Sequence, residues 1–227
     1  MVGLTYCKPS KMKNISTQTV GVVIALGAVI AFSGCASNQA EKVYPYPFDT
    51  AKIEYQLTGN VEGSTTVHIK GDKSAHETKA KSVESGNEAE INTLLLDLED
   101  KLYQIDLTAK TGNSSDNPIY AQLKELTPEE RLPFLTKLAT GLVADGGQTP
   151  TPKGQKNVAG ETCDLYDIQG IGEICLWNGI PVYSSMTIPE AGIMSTNTAT
   201  SIQLNVAIPD SVFNVPEGVE ITDLSVQ

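Results

Sequence analysis

The chain reads as an α+β protein dominated by antiparallel β structure, and three features predict this. Apolar and polar residues alternate over two separate stretches, 51–107 and 162–208, with turn residues between the runs. Between these stretches the apolar period changes to that of a helix. Two cysteines in the second stretch, Cys163 and Cys175, fall on the two arms of one apparent hairpin.

In the first stretch Ile53, Tyr55 and Leu57 alternate with polar neighbours until Gly59-Asn60 and Gly63 interrupt them. Val67 and Ile69 resume the pattern before the turn pair Gly71-Asp72. Residues 73–83 are polar at nearly every position and predict an edge strand, protected by its lysines from pairing with other chains. Residues 91–98 are an apolar run, Glu99-Asp100 a turn, and Tyr103, Ile105 and Leu107 alternate again. A meander of about five strands of ordinary length is expected.

The helical part opens at Asn117-Pro118, an N-cap with proline in the first helical position. Ile119, Tyr120, Leu123 and Leu126 follow at helical spacing. Thr127-Pro128-Glu129-Glu130 repeats the start signal as a capping box. Leu132, Leu135, Leu138 and Leu142 then mark one face, expected to turn to the core. Pro133 lacks an amide hydrogen and crowds the preceding turn, so a kink, or a second start near Arg131, is predicted. Residues 145–160 are rich in glycine and proline and predict a loop. Residues 162–168 and 173–177 flank 169–172 as a hairpin, and Asn178-Gly179 is a strong turn signal leading into 180–187. Residues 200–208 alternate cleanly, and Pro209-Asp210-Ser211-Val212-Phe213 closes the pattern.

Ahead of all this lies the apolar run 20–35. Lys8, Lys11 and Lys13 precede it and no acidic residue occurs in 1–35. A basic start followed by about 13 apolar residues is the pattern of an export signal, and the run is shorter than the roughly 20 residues a spanning helix needs. It ends in Phe32-Ser33-Gly34-Cys35. This tetrapeptide resembles the lipobox of bacterial lipoproteins, although Phe32 stands where leucine is usual. The resemblance implies cleavage before Cys35 and acyl chains on that residue. It also implies the periplasmic face of the outer membrane, because Ala36 and Ser37 lack the aspartate used for inner-membrane retention. Two or three chains would anchor the protein, at about 0.8 kcal/mol per buried methylene. The expected organisation is a signal peptide over 1–34, a lipidated tether over 35–50 and one domain over 51–227. Met12 is an alternative start to Met1.

The chain carries a net charge of −11, which becomes −14 once 1–34 and its three lysines are removed. So acidic a domain repels nucleic acid and anionic head groups, which argues against a nucleic-acid partner. Cys163 and Cys175 are the cysteines left beyond the leader and Cys35. In an oxidising compartment they are expected to form a structural disulfide, with Trp177 packed over it. His68 and His76 flank the Gly71-Asp72 turn, and tight pairing would bring their rings together. Two histidines without a carboxylate or thiolate cluster do not make a metal site, so no metal or cofactor is expected. Met186 and Met194 are expected in the core. The sequence has no nucleophile elbow, zinc helix, P-loop or dinucleotide fingerprint. Glu99-Asp100 and Glu129-Glu130 stand at a turn and a helix start, where acids are favoured locally.

The order meander, helices, loop, meander is similar to that of the outer-membrane lipoprotein-sorting carriers (LolA/LolB-like). The ending Phe213-Asn214-Val215-Pro216-Glu217-Gly218 resembles their Phe-x-x-Pro-x-Gly close. Gly160-x-x-Cys163 with Cys175-x-Trp177 looks like the second meander of a broader set of periplasmic lipoproteins. The resemblance implies a curved half-open β-barrel lidded by helices, with a cavity for acyl chains, but no ligand residues. Three functions are left open. The first is a non-catalytic binding module for an apolar ligand, a lipid or acylated peptide. The second is a scaffold or accessory subunit of an envelope protein complex. The third, with least support, is a carboxylate-based enzyme.

Overall fold

The twelve strands among the described residues join a single sheet that does not close on itself. A computed structural model describes them within residues 42–84, 87–143, 150–168, 171–188 and 192–225. The leader, the lipobox and Cys35 lie outside the described residues. The first half is a meander: β1 (Thr50–Gly59), β2 (Val61–Lys70), β3 (Lys73–Glu84), β4 (Asn87–Leu98), β5 (Lys101–Asp106) and β6 (Thr111–Asp116). Helices α1 (Pro118–Glu125) and α2 (Pro128–Val143) follow. The second half is β7 (Thr151–Val158), β8 (Glu161–Ile168), β9 (Gly172–Trp177), β10 (Ile180–Ile188) and β11 (Ile193–Leu204). A 3-10 turn (Asp210–Phe213) and β12 (Glu220–Asp223) complete it. The spatial order is β12-β6-β5-β4-β3-β2-β1-β11-β10-β9-β8-β7. β1 pairs with β11 and so joins the two halves. Every pairing is antiparallel except that of β12 with β6. This is the half-open, curved α+β architecture with helices between two meanders.

Local chemistry explains the boundaries. The Asn117 side chain accepts from the amides of Ile119 and Tyr120, both at 3.1 Å, and starts α1. Glu130 accepts from the Thr127 amide at 3.0 Å and its hydroxyl at 2.8 Å, the capping box at the start of α2. Asn178 and Gly179 both take positive φ, 49° and 78°, as a two-residue hairpin turn between β9 and β10 requires.

Paired residues share a face of a sheet and successive residues alternate. One face of β1 and β2, with Ala51, Ile53, Tyr55, Val67 and Ile69, packs against Cys163, Cys175, Trp177 and Val182 from the second half. The opposite face of β3–β5, with Ala75, Leu94, Leu96 and Ile105, is covered by the C-terminal segment through Ile208 and Phe213. The sheet thus buries one face at its centre and the other toward β6. Cys163 and Cys175 are bonded, with Cα atoms 5.5 Å apart. Closing a loop of this size stabilises by about 3 kcal/mol in the chain-entropy account.

Several expectations are corrected. β3 is an interior strand, paired along its length with β2 and β4; its polar residues lie on faces left partly open rather than on an edge. The lysine-guarded edge is β7, with Lys153, Lys156 and an irregularity after Pro152. β7 occupies half of the expected loop 145–160. β6 and β12 went unanticipated, so the first meander has six strands. Met194 is 60% exposed rather than in the core. α2 is continuous through Pro133, so of the two alternatives the second start near Arg131 does not occur. Among the described residues no helix is long and apolar enough to cross a membrane.

Candidate functional site

Residues 42–49, expected within the tether, are instead packed into the domain. Val43, Tyr44 and Phe48 are buried. Alternation brings Tyr44, Tyr46 and Phe48 into one stack, with centroids 5.5 and 5.4 Å apart, and Phe48 stacks on Trp177 at 5.5 Å. Offset stacking of this kind adds about 1 kcal/mol per pair beyond area burial. The N-terminal end of this segment is clamped by hydrogen bonds. The Asp72 carboxylate accepts from the amides of Val43 and Tyr44, each at 2.9 Å. Arg131, buried on α2, donates to the Lys42 carbonyl at 2.7 Å and to the Leu123 carbonyl at 3.2 Å. This strap occupies the space under the helices, where Tyr44 and Val43 meet Leu123 and Leu135. Leu135 thus faces the core as expected, whereas Leu132 is 37% exposed.

Beyond the strap the same sheet face stays open. Two cross-strand rows line it. One is Ser74–Asp97–Leu102–Ser115, the other His76–Leu95–Gln104–Asn113. With Leu224 just after β12, they form a cleft of about 370 Å³, the size of a small-ligand site. Its apolar part is exposed: Leu95 to 44% and Leu224 to 45%. Asp97 joins cleft and strap. It accepts from the Tyr44 hydroxyl at 2.7 Å and the Asn117 side-chain amide at 2.8 Å. Burial pushes the Asp97 carboxyl above its ordinary range, against the lowering effect of those two bonds. Burial, then the Asp97 charge, pushes the Tyr44 phenol far up, so it stays protonated and donates to Asp97. Burial lowers His76 to about 4. Its Nε2 lies 3.1 Å from the Ser74 hydroxyl.

The register separates the two histidines. His76 pairs with Val67 and His68 with Ala75, so the rings point to opposite faces. The expectation that they approach one another is therefore wrong, because a turn of two residues offsets them by one position. Among the described residues no group of three or more metal-ligating side chains occurs. Trp177 lies in the cluster with Cys163 and Cys175, as expected. Glu99-Asp100 sits at the β4–β5 turn, with Glu99 at φ 65°. The lipidation site Cys35 is not among the described residues. Sequence reasoning named neither the strap nor the cleft. The available signal was the alternation of aromatics at 44, 46 and 48.

No protein family matches the chain, and no curated protein matches it. Solved structures of similar layout include an uncharacterised conserved protein from Thermus thermophilus, at 8% identity and TM-score 0.48, covering 78% of this chain and 91% of that one. MucB of Pseudomonas aeruginosa, in complex with MucA, overlays 73% of this chain and 55% of that one at 10% identity and TM-score 0.36. LprF from Mycobacterium bovis overlays 72% and 89% at 16% identity and TM-score 0.31. Likenesses this loose carry no argument about what the chain binds.

Proposed function

We propose that the protein is an exported lipoprotein, held at the periplasmic face of the outer membrane by acyl chains on Cys35. Its domain is a non-catalytic binding module for an apolar ligand, a lipid or an acylated peptide. The Cys163–Cys175 disulfide supports export, because such bonds persist in oxidising compartments. The strap shortens the tether to 36–41. The observation that carries the binding reading is the cleft over β3–β6, where Leu95 and Leu224 stay exposed. Native mass spectrometry of the protein extracted from its envelope tests it. Lipid-mass adducts are expected on the native chain and lost from Leu95→Glu. A bare mass that takes up no added lipid overturns the reading.

A second reading, an accessory subunit without a small ligand, draws on the strap itself. It fills the space beneath the helices with aromatic side chains. Crosslinking in the envelope that recovers a stoichiometric protein partner supports it.

A further inference from the structure

The cleft differs in kind from a purely apolar acyl pocket. Leu95, Leu102 and Leu224 form its hydrocarbon part. Beside them Gln104 and Asn113 stand as direct cross-strand neighbours, with His76 next along the row after Leu95. Their side chains are amides and an imidazole. Among the described residues lining the cleft there is no lysine or arginine. The one lining carboxylate, Asp97, is already committed to Tyr44 and Asn117. An anionic head group would find no countercharge here, inside a chain that is itself strongly acidic. A cationic head group would find its only carboxylate engaged. The imidazole is neutral at physiological pH, since burial lowers it to about 4. With Nε2 at 3.1 Å from the Ser74 hydroxyl, the neutral imidazole has Nδ1 left to donate or accept, and each amide offers both a donor and an acceptor.

We propose that the cleft selects amphiphiles whose polar part is uncharged and rich in hydroxyl or amide groups. That part would lie along His76, Gln104 and Asn113 while the chain lies on Leu95, Leu102 and Leu224. This rests on the binding reading and narrows it from any apolar ligand to a neutral-headed one, such as a monoacylglycerol or an N-acylated amide. A site built to hydrogen-bond a polar group rejects a ligand that leaves its own groups unpaired.

The full-length protein in phosphatidylcholine nanodiscs provides the test. Two probes with the same twelve-carbon, diazirine-bearing chain are compared at pH 7: a monoacylglycerol and an alkyl sulfonate. Photo-crosslinked peptides are mapped by mass spectrometry. The monoacylglycerol is expected to label the strands carrying Leu95 and Leu102 at least about tenfold more than the sulfonate, equivalent to about 1.4 kcal/mol. Leu95→Glu should abolish both signals. Gln104→Lys should raise sulfonate labelling and leave the fold intact by Trp177 fluorescence. Labelling from probe placed in the nanodisc, against probe added from water, separates a membrane lipid from a soluble acylated amide. Equal labelling by both probes overturns the head-group inference and leaves the binding reading standing. No labelling by either overturns the binding reading itself.

Discussion

His76 shows how one residue's position sets a measurable pH dependence. Folding buries the imidazole and holds it neutral to about pH 4, whereas the unfolded chain takes up the proton near 6.5. The unfolded state binds more protons over that interval, so stability is full above about pH 6.5 and falls as pH drops toward 4. Asp97 acts with the opposite sign. Its raised carboxyl makes the folded state the greater proton binder, so its contribution is lost as pH rises through the folded value. His76→Gln removes the first effect and leaves the second. Urea midpoints at pH 7 and 4.5 should therefore fall less for His76→Gln than for the native chain. The gap is at most about 3 kcal/mol, from roughly 1.4 kcal/mol per pKa unit. Parallel pH curves would mean that the imidazole is hydrated in the folded state and takes up its proton there as readily as in the unfolded chain.

At the scale of elements, α2 carries its own test. Pro133 sits inside the helix, where it cannot donate to the carbonyl one turn back, and its side chain is exposed, so no packing is lost on replacing it. Pro133→Ala should stabilise by about 2 kcal/mol, given the roughly 3 kcal/mol that interior proline costs, read as a rise in thermal midpoint. No rise would show that neighbouring groups already compensate the missing bond. The helices themselves were legible because caps are local: Asn117 and Thr127 announce them in four residues each. Strands β1, β2 and β5 were legible because one buried face imposes a period of two, and β8 and β9 because they flank a hairpin signal and β9 ends on the Asn178-Gly179 turn. β6 (TGNSSD) and β12 (EITD) were not, because pairing with an existing ladder holds them rather than an apolar stripe of their own. β7 was hidden for the same reason: most of its residues are exposed, and its glycine and prolines read as loop. The strap was misread because Pro45 and Pro47 resemble a linker. Only tertiary contact with Trp177 and the helices makes an extended proline-containing segment part of a core. The cleft could not be read at all, since it depends on which face β3–β6 leaves uncovered.

At the scale of the whole molecule, the strap would limit the reach of the domain under the proposed lipidation of Cys35. The clamped segment includes Lys42, seven positions along the sequence from Cys35. Fully extended they reach only about 24 Å, at roughly 3.4 Å each. Under the proposed lipidation the domain would work close to the membrane, with Asp97 tied to the strap through Tyr44. This arrangement predicts an unusual resistance to protease. Trypsin should cut after Lys42, yet the Lys42 carbonyl is held by Arg131, and the next two amides by Asp72. Cleavage requires the strap to open first, and where opening is fast its rate follows the open population. Asp72→Ala removes two charge-assisted bonds, worth about 2 kcal/mol together net of solvation. Cleavage at 42–43 should accelerate about thirtyfold, while cuts elsewhere keep their rates. Phe48→Ala should act in the same direction by breaking the stack on Trp177, and the buried tryptophan's emission should shift to the red in step with cleavage. Fast cleavage of the native chain at Lys42, without any change in Trp177 emission, would mean that the strap is not held and that the tether is the longer one its prolines suggest.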